Sequence, residues 1–156
     1  DVKFNDEPQR SFAVTKKGTD MKVYQQGKQL PAVDTAMIFR YLNNYKKIHY
    51  DLANYELNEK QVDSLKKTTP FCELTVTENI QRKTKLRFYR LKHRAPVAAG
   101  MAEVEDIDQN KFWCQLTNGE MVKCQYFVFN PLILGHVYFP LDLSGLKTHD
   151  GIVPIE

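Results

Sequence analysis

Apolar and polar residues alternate along much of this chain, and the points where that two-residue rhythm gives way to a helical one divide it into elements. Ser11 to Lys17 and Met21 to Gln26 alternate on either side of Gly18-Thr19-Asp20. That pattern predicts a hairpin whose apolar side carries Phe12, Val14, Met21 and Val23. Gly27 and Pro31 then interrupt the rhythm. Asp34 is a good N-cap for a helix over 35–48, in which Ile38, Tyr41, Leu42, Tyr45 and Ile48 recur at helical spacing while Arg40, Asn43, Asn44 and Lys47 take the other side. Lys46 and Lys47 in its last turn meet the negative end of the helix dipole. A shorter helix starts at Asn58, with Gln61 as capping-box partner and Leu57 and Val62 as a hydrophobic staple. It should stop near Thr68 and Thr69, because Pro70 disfavours helical geometry in the residue before it.

Cys72 to Thr77 and Lys85 to Lys92 read as strands joined by the polar segment 78–84. From Arg94 to Asn110 periodicity is lost, which reads as a long connection ending in the acidic residues Glu103, Glu105, Asp106 and Asp108. The longest apolar and aromatic run is Lys111 to Ile133, with Asn118-Gly119 in the middle. Asn-Gly is the favoured centre of a tight hairpin turn, since both positions need positive φ. A two-residue turn there pairs Thr117 with Glu120 and Trp113 with Cys124. The second arm, Cys124 to Phe129, carries bulk on both faces and reads as the central strand of the sheet, ended by Asn130-Pro131. Residues 134–156 read as an irregular tail pinned at Val137, Tyr138 and Phe139. The order ββααββββ predicts an α+β fold in a single domain over 1–156, an antiparallel sheet of about six strands with both helices packed on one face.

Composition narrows the class. At 156 residues, 42% hydrophobic and 26% charged, the chain is an ordinary globular domain large enough to bury a core without a disulfide or cofactor. Its net charge of +3 falls short of the dense basicity of a dedicated nucleic-acid binder. No apolar run approaches the length of a membrane span, and the residues from Asp1 to Arg10 lack the layout of a signal peptide. The expectation is a cytosolic protein or one whose export segment lies upstream of Asp1. Of the three cysteines, Cys114 and Cys124 lie in opposite arms of the proposed hairpin, but the two-residue turn points them to different faces. Cys72, Cys114 and Cys124 are read as buried small hydrophobes, with a cross-strand disulfide between Cys114 and Cys124 as the less favoured alternative.

Candidate chemistry is sparse. His49, His93, His136 and His149 are scattered, none with a metal-ligand spacing, so no metal or other cofactor is expected. Ser64 to Lys67 and Ser144 to Lys147 match SxxK formally, but no companion motif of the acyl-serine enzymes follows. Asp106 and Asp108 lack the spaced ligands and glycine of a calcium loop, and read as a solvated loop. One feature stands out. Arg82, Lys83, Lys85, Arg87, Arg90, Lys92 and Arg94 crowd one strand together with His93, interleaved with Phe88 and Tyr89. This is a candidate surface for an anionic polymer, nucleic acid or lipid headgroup. Its competing reading is an edge strand protected by charge, with its cations neutralised by the acidic segment that follows. Alternation along the strand divides the cations between two faces.

Taken in order, several segments resemble the C-terminal half of a domain-of-unknown-function family of bacterial envelope proteins, N-terminally membrane-anchored and often encoded beside gliding-motility-type ABC transporters. The segments are Val2 to Phe4 with Glu7 to Phe12, Asp34-Thr35 through Tyr41-Leu42, Thr69-Pro70 with Leu74 to Thr77, Asp106-Ile107-Asp108, Asn118-Gly119-Glu120, and Gln125 to Pro131. Gln109 and Cys114 depart from the family pattern, which has arginine and a small residue there. The family has no agreed activity, so the resemblance implies a location and no site: a periplasm-facing module tethered through an anchor upstream of Asp1. The expected role is a non-catalytic protein-interaction or scaffold domain, accessory to a membrane transporter complex, with other envelope or membrane proteins as partners. Binding of an anionic ligand through 82–94 is the alternative, and an enzyme with a site invisible in sequence the third.

Overall fold

The computed structural model describes residues 1–47, 52–54, 56–79, 82–95 and 104–144. Nine strands and three α-helices lie among them: β1 (Val2–Phe4), β2 (Ala13–Lys17), β3 (Asp20–Gln25), β4 (Lys28–Gln29), α1 (Thr35–Asn43), β5 (Leu52–Ala53), α2 (Glu59–Lys66), β6 (Cys72–Asn79), β7 (Arg82–Ala95), β8 (Val104–Gln115), β9 (Met121–Gln125) and α3 (Tyr126–Ile133). The fold is α+β with antiparallel sheets, as expected. The main sheet runs β1-β6-β7-β8-β9 with the two-residue β5 at its edge, and β2-β3-β4 form a separate sheet.

The apolar and aromatic run from Lys111 to Ile133 folds differently from its sequence reading. Its first arm, its turn and Met121–Gln125 make the hairpin of β8 and β9, but Tyr126 to Phe129 lie outside any ladder, in α3. The centre of the sheet passes instead to β7 and β8. An apolar run of eight residues has no period that separates a buried strand from a buried helix. Here Phe129, Leu132 and Ile133 are buried beneath the sheet, whereas Phe127 is 86% exposed. Pro131 is accommodated inside this helix. In a helix starting at Tyr126 its ring removes only the donor to the Phe127 carbonyl, at that exposed position.

The turn also differs by one residue. Leu116 donates to the Glu120 carbonyl at 2.8 Å and Gly119 to the Leu116 carbonyl at 2.9 Å, so the loop has three residues, with Gly119 at φ 89°. This is the three-residue hairpin loop in which glycine takes the left-handed position. Phe112 therefore faces Cys124, and Trp113 faces Lys123. The shift returns Cys114 and Cys124 to the same face, where both are fully buried in the main core as free thiols. Their proximity and burial push the Cys114 thiol pKa up.

Two further expectations are corrected. Residues 104–110 are not loop: β7 and β8 pair as far as Ala95 and Val104, after a bulge between Arg90 and Lys92. Asp108 Oδ1 closes the bulge by accepting from the amides of Asn110 at 2.7 Å and Lys111 at 2.8 Å, a local bond that masks the strand pattern. Nor do the helices share one face. Phe88, Phe112, Cys114, Val122 and Cys124 face α1, α3 and the small sheet, with Val2, Phe4, Phe12, Val23, Ile38, Tyr41 and Phe139 filling that core. Tyr89, Leu91, Trp113 and Met121 point the other way, onto Leu57, Val62 and Leu65 of the α2 region. Period-two alternation makes these the two sides of one sheet, so α2 lies opposite α1 and α3.

Other features follow the sequence. The β2–β3 hairpin turns through Gly18-Thr19, and Asp34 caps α1 by accepting from the Ala36 amide at 2.9 Å. The first helix is shorter than expected: it passes into a 3-10 turn at Asn44, whose side chain binds the Arg40 carbonyl and the Tyr138 hydroxyl. Ile48, and the side chains of Lys46 and Lys47, lie outside the described residues. In the tail, Tyr138 and Phe139 pack on the core, but Val137 is exposed and pins nothing. Positions 145–156 lie outside the described residues. No helix among the described residues is long and apolar enough to cross a membrane.

Candidate binding groove between α2 and the sheet

A groove of about 930 Å³ runs between α2 and the sheet face it covers. One wall is the helix, and its start is set by side chains. Asn58 Oδ1 accepts from the Gln61 amide and Gln61 Oε1 accepts from the Asn58 amide, both at 2.9 Å, so the predicted capping box is complete. Eight residues are too few to be helical alone, so α2 depends on this cap and on its docking through Leu57, Val62 and Leu65.

The floor comes from the sheet. Trp113, 5% exposed, and Tyr89, 2% exposed, are direct cross-strand neighbours. The Tyr89 hydroxyl donates to Gln115 at 3.1 Å. Beside Trp113, as its partner on β9, Lys123 is buried with its ammonium 5.4 Å from the ring centroid, paired with Glu56.

Past the C-terminus of α2 the groove is lined by Thr68 to Phe71, Asn5, Asp6 and Arg90. Arg90 pairs with Asp6 at 2.9 Å and lies 4.6 Å over the Phe71 ring, and Asn5 donates to the Pro70 carbonyl at 2.9 Å. This end therefore joins β1's following loop to β6 and β7. Asn58, Lys60, Gln61, Ser64 and Thr68, all exposed, line the groove from the helix side, and Lys92 completes the opposite lip.

The seven basic residues singled out by sequence do not form one surface. β7 is an interior strand flanked by β6 and β8, so the protected-edge reading is corrected as well. Lys85 and Arg87 share the α2 side of the sheet, each 3.5 Å from the same oxygen of Glu73, and alternation puts Lys83 on that side too. Arg82 pairs with Glu78. Arg90 serves the groove end and Lys92 its lip. In the register of β7 and β8 the Arg94 backbone stands opposite Glu105, and that of His93 opposite Asp106. Ser64, half of one SxxK match, is exposed in the groove wall, while Ser144 donates to Asp142 at 2.6 Å and holds that carboxyl below its usual range. His136 has its pKa lowered by burial and by the charge of Arg10. No group of three or more metal-ligating side chains occurs among the described residues.

Sequence reasoning missed Tyr89, Trp113, Asp6 and Lys60 as neighbours. Only the capping box at Asn58 and the staple at Leu57 and Val62 signalled that this helix docks firmly. No family model, no curated protein and no solved structure matches the chain.

Proposed function

We propose that this domain is a non-catalytic interaction module that holds a segment of a partner protein in the groove between α2 and strands β7 and β8. One observation carries the reading: a concave site near the upper end of the roughly 300–1,000 Å³ range of binding sites, with an apolar floor and a polar rim, built on a helix and a sheet. Sites on such elements are positioned more accurately than sites on loops. The same proposal includes the setting, a periplasm-facing domain tethered by an upstream anchor and accessory to a transporter complex. The family resemblance supports that part.

A photo-crosslinking amino acid placed at Ser64, in the groove, and at Thr15, on the exposed small sheet, tests it in cells producing the full-length protein. A discrete adduct from Ser64 and none from Thr15, retained on co-purification from solubilised membranes, is the expected result. Equal labelling from both positions, or recovery of the domain alone, refutes it.

A second reading, binding of an anionic polymer or headgroup, is favoured by Lys85 and Arg87 sharing a single carboxylate, Glu73, among the described residues. Replacing Lys83, Lys85 and Arg87 by glutamine should then lower both the affinity for heparin and the slope of its salt dependence. An unchanged slope excludes that surface.

A further inference from the structure

Resting on the groove as the binding site, we infer that its occupant is an extended, acidic segment of a polypeptide, apolar side chains turned inward and carboxylates at the lips. Three observations converge on this chemistry. First, the groove is long. Its helix-side lining runs along α2, roughly 12 Å at 1.5 Å per residue, and continues past both ends to Leu57 and Thr69, so that four or more residues of extended chain would be needed to span it.

Second, its charge is one-sided. The lining carries Lys60, Arg90 and Lys92 against one carboxylate, Asp6, and that carboxylate is already engaged by Arg90 at 2.9 Å. Lys60 has no ion pair among the described residues. An occupant with carboxylates complements this lining, and a basic one is repelled.

Third, the aromatic residues are floor, not platform. Tyr89 and Trp113 are packed under Leu57, Val62 and Leu65, so they cannot offer open ring faces to nucleic-acid bases. The apolar surface that an occupant's side chains would meet comes from Leu57, Leu65 and Pro70, which line the groove and are partly exposed. Ser64 and Thr69 set hydroxyl groups along the same wall, suited to the backbone N–H and C=O groups that an extended segment leaves without partners, whereas Asn58 Oδ1 is held in the cap and the Thr68 hydroxyl donates to the Leu65 carbonyl at 2.6 Å.

The test uses the 156-residue chain and a positional-scanning library of octapeptides, followed by fluorescence anisotropy with the best-retained peptide. Aspartate and glutamate should be enriched at alternate positions, with apolar residues between them. Lys60→Glu should weaken binding of that peptide about fivefold or more at low salt, and the difference should shrink as salt is raised. Enrichment of neutral or basic residues, or an affinity indifferent to Lys60→Glu, overturns the acidic-segment inference. Ser64→Trp separates that failure from failure of the groove itself. If it abolishes retention of whatever peptides bind, the groove remains the site. Retention untouched by Ser64→Trp in a variant with native circular dichroism, or no retention of any peptide, overturns both.

Discussion

Gly135 is where a single added methyl group should be felt most. A Cβ built on it would lie 2.6 Å from both Cδ1 and Cε1 of the Phe12 ring and 3.0 Å from Cγ. The ring cannot simply withdraw, because Phe12 is 3% exposed and packs against Tyr41 and Phe139 at centroid separations of 5.4 and 5.9 Å. Phe12 also holds the chain in place, its amide and carbonyl exchanging bonds of 2.9 and 2.8 Å with Val2. Overpacking of this kind costs about 1–3 kcal/mol, and the lower backbone entropy of alanine in the unfolded chain offsets about 0.4–1 kcal/mol of it. Taken at the middle of each range, Gly135→Ala should therefore destabilise the domain by about 1.3 kcal/mol. In a chain of this size that lowers Tm by roughly 2–8 °C. Urea unfolding followed by Trp113 fluorescence measures it. The cause is tested by a cycle with Phe12→Leu, which makes room: Gly135→Ala should cost clearly less in the Phe12→Leu background than alone. A Gly135→Ala protein as stable as the native one, or strictly additive costs in the cycle, would show that the contact does not constrain the fold.

Three further outcomes are expected. Asn58→Ala removes half of the capping box and should cost about 1 kcal/mol, with faster amide exchange in α2 and weaker binding in the groove; unchanged exchange there would count against the cap. Burial raises the pKa of Tyr41 and pushes that of Tyr45 up to about 12, and the two hydroxyls are hydrogen-bonded, with Tyr41 donating to the Leu132 carbonyl. The unfolded chain then loses these protons first, near pH 10, so the stability they contribute is complete below pH 10 and falls as pH rises towards 12, by at most about 1.4 kcal/mol per pH unit for each tyrosine. Tyr45→Phe should flatten that decline in denaturant melts run between pH 9 and 11.5, and an equally steep decline would exclude the pair as its source. Cys72, Cys114 and Cys124 are fully buried, and burial raises the pKa of the Cys72 thiol, so all three should resist a thiol reagent in the native protein and react once it is unfolded. Rapid labelling under native conditions would contradict their place in the core.

What the sequence determined on its own was local. Asp34 and Asn58 start helices because their side-chain oxygens satisfy amides two and three residues on, and Gly18 and Gly119 turn hairpins because they accept positive φ. The alternation in Cys72–Asn79 and in the first part of Arg82–Ala95 is likewise written in adjacent residues, as is the α+β class to which these pieces add up. Tertiary structure decided the rest. Tyr126 to Ile133 is a helix because Phe129, Leu132 and Ile133 meet a sheet face already lined by Phe88 and Phe112, and no local period distinguishes that outcome from a central strand. One residue more in the turn at Asn118 brought Cys114 and Cys124 to one side. The opposite placement of α2 depends on Tyr89 and Trp113 standing next to each other, a match between residues 24 apart in sequence. The groove follows from that pairing together with Asp6 reaching Arg90, 84 residues away. Caps and turns arise from neighbours along the chain, whereas a binding surface is made by residues that only folding brings together.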